Sequence, residues 1–328
     1  MTDSFKLQLK AMRLVIIIGM VIMAIKFYAF FITHSNAILT DALESIINVV
    51  AGFFAYYSLS LAAKPKDNNH PYGHGKIEFI SAGFEGGLIL LAGIVIIIKS
   101  IFDFIHPKEV ELLDIGAYLA GAAGLFNYVL GKFLIKTGEK NKSITLIADG
   151  KHLLSDTYSS IGLVVGLLII TLTKILWLDN ILAIIFGFVI IITGYQLFRK
   201  SLAGLMDEAD ITVLKDVLST LNDSRNDKWI DIHNLRVQQY GSSYHIDCHV
   251  TLPWYHDLQT SHDELKKMED IIYKKFDGRV ELFIHPDPCI VFSCAICQLS
   301  ECKVRQIPFE KKIEWTLENV MKDEKHQI

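Results

Sequence analysis

A chain of 328 residues that is 51% hydrophobic, with a mean hydropathy of +0.35, is too apolar for an ordinary soluble domain and points to several membrane spans. Its net charge of −4 gives no basic surface for nucleic acid. The polarity is uneven: residues 14–200 carry long apolar runs and residues 207–328 are polar and charged, so a membrane domain is followed by a soluble one.

Six apolar segments, at about 12–33, 37–62, 77–104, 112–135, 143–172 and 176–198, are each long enough for a hydrocarbon core of ~30 Å. The polar N-terminus MTDSFKLQLKAMR leads into a first run with no small-residue cleavage site, which reads as a retained span rather than a signal peptide. Lys6, Lys10 and Arg13 precede that run. Lys64, Lys66 and Lys76 lie in the second connection, and Lys132, Lys136, Lys140 and Lys142 around the fourth. The first connection has no basic residue, the third has Lys108 with Lys99 nearby, and the fifth has Lys174. The positive-inside rule therefore places both termini in the cytoplasm.

Helix one carries Lys26, expected to snorkel or to face the bundle. The second segment, SNAILTDALESIINVVAGFFAYYSLSLAA, holds Asp41, Glu44 and Asn48. Polar and acidic groups inside a span are costly and mark ion or proton pathways. The loop after it, KPKDNNHPYGHGK, spaces Asp67, His70 and His74 as D-x-x-H-x-x-x-H, a carboxylate and two imidazoles suited to a divalent metal. On helix three, GFEGGLILLAG leaves two readings of Glu85: close helix packing around the glycines, or a polar cavity. Helix five contains LIADGKHLLSDTYSS. There His152 and Asp156 are four apart on one face, as Glu44 and Asn48 are on helix two. Two helices that each offer such a pair make a four-ligand cage.

The soluble part reads as helix 209–223, strands HNLRVQQYG and SYHIDCHVTL joined by a short turn, helix 257–276 and strand RVELFIHPD. This is an α-β-β-α-β, α+β domain with its helices on one face of a sheet. His233, His245, His249, His256, His262, His285 and Asp287 make it rich in ligands. On the second strand His245, Asp247 and His249 share one face, with Cys248 on the other. Four of the five cysteines, Cys289, Cys294, Cys297 and Cys302, follow as C-x4-C-x2-C-x4-C. Their odd total and tight spacing fit reduced thiols or metal ligands better than a disulfide framework. A zinc site, ligands shared with the domain's histidines, and free thiols all stay open. Residues 308–321 resemble a final amphipathic helix. The domains are thus 1–206, 207–288 and a Cys-rich tail with a C-terminal helix, 289–328.

SNAILTDALES, KPKDNNHPYGHGKIEFISA, ADGKHLLSD, SLAGLMDEA and FIHPDPC together resemble the cation diffusion facilitator family over about residues 10–290. The resemblance implies a six-helix membrane bundle, a copper-chaperone-like cytoplasmic domain, a homodimer in the lipid bilayer of a bacterial inner membrane, and exchange of divalent metal for protons. It places a transport site on Glu44, Asn48, His152 and Asp156, and a loop site on Asp67, His70 and His74. A cytoplasmic site falls on His233, His249, His262, His285 and Asp287, and a salt bridge joins Lys76 to Asp207. The family's usual zinc site has His or Asp, then Asp, where this chain has Glu44 and Asn48. An amide offers only a neutral carbonyl oxygen, which moves the donor set from Zn²⁺ towards Mn²⁺ or Fe²⁺; Cd²⁺ and Co²⁺ are the other ions to test. Zn²⁺ stays first because of the histidines. A non-transporting metal-binding membrane protein is the rival reading. An enzyme is disfavoured, since no H-E-x-x-H motif and no nucleophile with a base occur.

Overall fold

The computed structural model describes residues 3–33, 36–105, 114–173 and 177–328. It divides into two compact units, Met1–Met206 and Asp207–Ile328. The first unit consists, among the described residues, of six helices: α1 (Asp3–Thr33), α2 (Asn36–Ala62), α3 (Ile77–Ile105), α4 (Asp114–Asn141), α5 (Ile144–Thr173) and α6 (Trp177–Leu205). None of the chain's seven prolines lies inside them, so no main-chain donor is lost in their interiors. At 1.5 Å per residue each is roughly 40 Å long. Among the described residues three stretches, Phe5–Tyr28, Ile77–Ile105 and Ile184–Leu205, are long and apolar enough to cross a membrane.

The helices pair as α3 with α6, α4 with α5 and α1 with α2. Glycine permits the closest approaches. A Cβ on Gly86 would stand 2.7 Å from the Phe198 nitrogen, and one on Gly194 2.7 Å from the Leu90 nitrogen. Gly131 and Gly150 meet reciprocally across α4 and α5, each 2.8 Å from the other's carbonyl oxygen by the same measure. Small residues at such crossings let helices associate where no hydrophobic effect drives them. The outer face of α3 exposes Leu91, Val95, Ile98 and Phe102, a stripe at helical spacing suited to lipid rather than water. Its inner face buries Glu78, Ser81 and Glu85. Ser143 donates to Glu78 Oε2 at 2.5 Å, and the Ser201 hydroxyl bonds to the Phe79 carbonyl, tying α3 to α5 and α6.

In the second unit Asp210 caps α7 (Ile211–Asp223) by accepting from the Thr212 and Val213 amides, the usual use of Asp at an N-cap. Strands β1 (Asp231–Tyr240) and β2 (Ser243–Leu252) pair antiparallel through Gly241-Ser242, with Gly241 at φ 60°, where glycine is least strained. Helix α8 (Leu258–Lys275), capped by Asp257, then crosses over to β3 (Val280–Pro288), which lies parallel to β2. The sheet order is β1-β2-β3. Pro286 and Pro288 are tolerated because β3 is an edge strand. Alternate β2 residues Tyr244, Ile246, Cys248, Val250 and Leu252 join Val213, Leu214, Val217 and Leu221 of α7 and Met268 and Ile272 of α8 in one core. A bulge between His233 and Arg236, with Asn234 at φ 54°, allows Ile232 and Leu235 both to face that core.

The tail departs from expectation. Residues 308–316 are not helical, and only a single turn, α9 (Leu317–Val320), forms within 308–321. Tertiary partners hold the preceding segment extended. Asn222 donates to the Trp315 carbonyl at 3.0 Å, Arg225 to the Ile313 carbonyl at 2.7 Å, and the Arg225 guanidinium stacks 3.8 Å above the Trp315 ring. Trp315 is buried at 3% exposure, and its packing outweighs the weak helical preference of the local sequence.

Glu264, 2% exposed, fastens α8 to the segment before β1. It accepts from Trp229 Nε1 at 3.2 Å, Lys228 Nζ at 3.0 Å and Lys267 Nζ at 2.8 Å. Burial alone would raise its pKa, but the two lysines outweigh burial and hold it at about 2. Because this lies below the ordinary value of about 4.3, the stabilisation is complete above that pH and disappears as pH falls through about 2. Glu264→Ala orphans the buried indole N–H, while the exposed lysines add little. It should destabilise this unit by about 2 kcal/mol at neutral pH, read as a shift in urea unfolding followed by tryptophan fluorescence. The difference from wild type should narrow in strong acid, where protonated Glu264 loses its pairing with the lysines but still accepts from the indole.

Candidate metal sites

In the helical unit three elements bring polar groups to one place. Asp149, His152 and Asp156 lie on one face of α5 at i, i+3 and i+7. Asn48 projects from α2 and bridges two of them. Its Nδ2 donates to Asp156 Oδ2 at 2.7 Å, and its Oδ1 stands 2.9 Å from His152 Nε2. An amide oxygen only accepts, so His152 carries its proton on Nε2 in this arrangement. The same nitrogen is 3.9 Å from Asp156 Oδ2. On the ring's other side, Nδ1 is 3.4 Å from Oε2 of Glu85, which is fully buried. A cavity among α1, α2, α4 and α5 is lined on its polar side by Lys26, Ser45, Asn48, Asn127, Asp149 and His152. His152 Nε2, the Asn48 amide oxygen and one Asp156 carboxylate meet here, a donor set for a borderline to hard divalent cation, with Glu85 on the far side of the ring and Asp149 on the cavity wall. The side chains of Glu44 and Asp41 lie outside the described residues.

Glu85 and Asp149 are the groups that motif spacing left undecided or unnamed. For Asp149 the signal was available, three residues before His152 on the same face. For Glu85 it was not, because only the packing of α3 on α5 decides that this acid faces His152 rather than the glycine seam.

In the loop before α3, Asp67 folds back on its neighbours. Its Oδ1 accepts from the amides of Asn69 at 3.0 Å and His70 at 2.7 Å and lies 3.1 Å from His70 Nδ1. Its Oδ2 is 3.4 Å from His74 Nε2. The His70 amide bond is the main reason that the Asp67 pKa falls below its ordinary value, with the His70 ring adding to it. The three residues offer ligand atoms within 4.8 Å of one another.

The sheet builds the third cluster by register. His233 on β1 opposes His249 on β2, and His249 pairs with His285 on β3, so three imidazoles form a row across all three strands. Asp287, two residues along β3, closes the row on the same face. Its Oδ2 is 3.1 Å from His233 Nε2 and 3.3 Å from His249 Nδ1, and its Oδ1 is 3.8 Å from His285 Nε2. His233, His249 and Asp287 meet within 4.8 Å. His262, near the start of α8, is not brought into this group. His245 turns instead to Glu281 at 3.0 Å.

Groups with no sequence signal flank the row. Asp231 lies 3.6 Å from His233 Nδ1 and is hydrogen-bonded by His326, while Lys325 Nζ is 4.0 Å from Asp287. Burial would raise the Asp231 pKa, but the bonds from His233 and His326 outweigh it and hold it at about 2. Lys76 and Asp207 fall in different units. Of the tail cysteines, Cys297 is buried, whereas Cys289, Cys294 and Cys302 are half-buried, and all are free thiols.

Two family matches cover most of the chain: the cation efflux transmembrane domain over residues 12–206, and the cytoplasmic domain of cation efflux proteins over residues 212–289. An uncharacterized transporter of Synechocystis is 34% identical over 265 residues, covering 80% of this chain and 86% of that protein. The manganese efflux system protein MneP of Bacillus subtilis is 26% identical over 85% of this chain and 95% of its own length. The zinc transporter ZitB of Yersinia pestis is 26% identical over 71% and 76%. With both domains matched in order and a relative above 30% identity along most of the sequence, the chain is a membrane protein of the cation efflux, or cation diffusion facilitator, family.

Proposed function

We propose that the protein exports a divalent transition-metal cation from the cytoplasm in exchange for protons, by alternating access around Glu44, Asn48, His152 and Asp156. The observation that carries this reading is the hydrogen-bonded chain from His152 through Asn48 to Asp156 inside an apolar helical bundle. Buried groups of this kind are costly unless they face one another, water or an ion. Metal requires its ligands deprotonated, so cation and proton compete for the same atoms. Histidine, with an ordinary pKa of about 6.5, exchanges its proton near neutral pH. Glu85, behind the imidazole, is a candidate to take part in that exchange, and Asp149 lines the cavity wall.

Zinc is the first cargo on this reading because His152 is a good ligand for it. The neutral amide of Asn48, beside carboxylates, supports Mn²⁺ as a second reading, as does the likeness to MneP; Fe²⁺ has similar demands. The chain works as a homodimer in a bacterial inner membrane with both termini in the cytoplasm. The cytoplasmic cluster of His233, His249, His285 and Asp287 has the donors for a divalent ion and serves to sense cytoplasmic metal. Asp67, His70 and His74 form a loop site at the membrane surface.

In proteoliposomes with a pH gradient, Asp156→Ala should reduce Zn²⁺ or Mn²⁺ flux to background while the protein still inserts and folds. Normal flux by that variant would remove the site. Asn48→Asp should tighten zinc binding by about 10-fold and shift the flux ratio towards Zn²⁺ over Mn²⁺; an unchanged ratio would mean that Asn48 is not a ligand. Asp287→Ala should weaken zinc binding at the cytoplasmic cluster by more than about 10-fold, measured by calorimetric titration of the full chain, and leave the first site's flux measurable.

A further inference from the structure

The family match ends at residue 289, and four of the five cysteines occupy 289–302. The segment that holds them has little apolar core of its own. Ile230, Ile296 and Cys297 are buried together, with Cys289, Leu299 and Ile313 packed against them. Its order comes instead from a polar frame around the thiols. Cys289 begins where β3 ends, its amide donating to the Leu252 carbonyl at 2.8 Å. The Trp254 amide donates to Cys289 Sγ at 3.4 Å, the kind of N–H···S bond that settles a thiolate. After the short helical turn Val291–Ala295, the Cys297 amide bonds back to the Cys294 carbonyl at 3.4 Å, so C-x2-C is one tight turn. A single guanidinium then clamps the turn: Arg305 donates to the carbonyls of Cys294 at 2.8 Å, Cys297 at 3.0 Å and Leu299 at 2.6 Å. The Arg305 amide reaches the Cys302 carbonyl at 3.4 Å.

Cys289 packs against the buried Cys297, Cys294 and Cys297 flank one tight turn, and Arg305 binds the carbonyls of that turn while its own amide reaches the Cys302 carbonyl. All four are free rather than disulfide-bonded, and they stand wider apart than a group whose ligand atoms all lie within 4.8 Å of one another. A tetrahedral zinc with Zn–S bonds of about 2.3 Å would bring them to about 3.8 Å apart. Short segments without an adequate core commonly need such a staple.

We propose that Cys289, Cys294, Cys297 and Cys302 form a closed, four-thiolate zinc site that fixes the carboxy-terminal tail to the cytoplasmic unit. Four soft ligands with no open position make a structural site, unlike the imidazole, amide and carboxylate donors of the bundle. Binding breaks four S–H bonds, makes four Zn–S bonds and releases four protons, with no change of oxidation state. The positive Arg305 and the Trp254 amide offset the charge left on the sulfurs. The consequence reaches the histidine row. The tail runs on through α9 to Lys322, whose carbonyl accepts from the Asn234 amide at the β1 bulge at 2.7 Å, and to Lys325 and His326 beside Asp287 and Asp231. The four-thiolate site is independent of transport.

The test uses the full chain, purified reduced in detergent, stripped with chelator and titrated to saturation with Co²⁺ alone. An intense sulfur-to-cobalt charge-transfer band with tetrahedral d–d bands is expected, displaced by Zn²⁺. That signature should persist in Asp287→Ala and Asp156→Ala, which separates it from the other sites. In wild type, zinc should slow thiol alkylation of the four tail cysteines by at least about tenfold, with Cys248, buried in β2, slow throughout. Cys302→His should keep tetrahedral cobalt with a weaker, three-sulfur band. A saturated cobalt spectrum without sulfur charge transfer, or equal alkylation rates with and without zinc, would overturn the proposal.

Discussion

The cost of placing an imidazole and several acids inside an apolar bundle governs the membrane half of this protein. His152 and Asp156 cannot face lipid, so α5 must turn them inward, and α2 and α3 must come close enough to bring Asn48 and Glu85 to them. The glycines make such proximity feasible. Gly131 and Gly150 let α4 and α5 meet backbone to backbone, and Gly86 and Gly194 do the same for α3 and α6. The oily outer stripe of α3 and its buried acids are two results of one sorting, in which lipid takes the apolar face and the bundle the polar one. The hydrogen bonds at that point join a donor, an amide and an acceptor in one chain.

The cytoplasmic half solves a different problem, since a sheet can hold ligands only where register puts them. His233, His249 and His285 align because β1 pairs antiparallel and β3 parallel with the same central strand. The bulge at Asn234 is part of that arrangement. It lets Ile232 and Leu235 enter the core on either side of a histidine that must point the other way. The amide the bulge frees from the ladder is taken by the Lys322 carbonyl, so the tail's path and the histidine row share a fixed point. Lys325 then stands beside Asp287, and His326 hydrogen-bonds Asp231 at the edge of the row.

Where periodicity was strong, the elements were legible in advance. The apolar segments became α1 to α6, and alternation in SYHIDCHVTL became β2 with Cys248 inward. Residues 308–321 were misleading for an instructive reason. Their charge and spacing suit a helix, but Trp315 finds a better environment beneath the Arg225 guanidinium, and the carbonyls of Ile313 and Trp315 are claimed by Arg225 and Asn222. Local preference is worth a few tenths of a kcal/mol per residue, less than burying a tryptophan.

Within the sites, pairs close in sequence were legible and pairs close only in space were not. His152 with Asp156, and Asp67 with His70 and His74, are set by helix and loop geometry over at most seven residues, so spacing alone determined that they meet. The family's motifs carried Asn48 to the same site as His152, and the fold gave the contact its form, an amide bridging ring and carboxylate. Glu85 at His152, Asp231 at His326 and Lys325 at Asp287 depend on how distant elements pack. His262 lies outside the compact trio although its residue type fits as well as any. Side-chain chemistry and short-range spacing are written along the chain, whereas the choice among chemically equal partners belongs to helix crossings and strand register, which only the folded backbone decides.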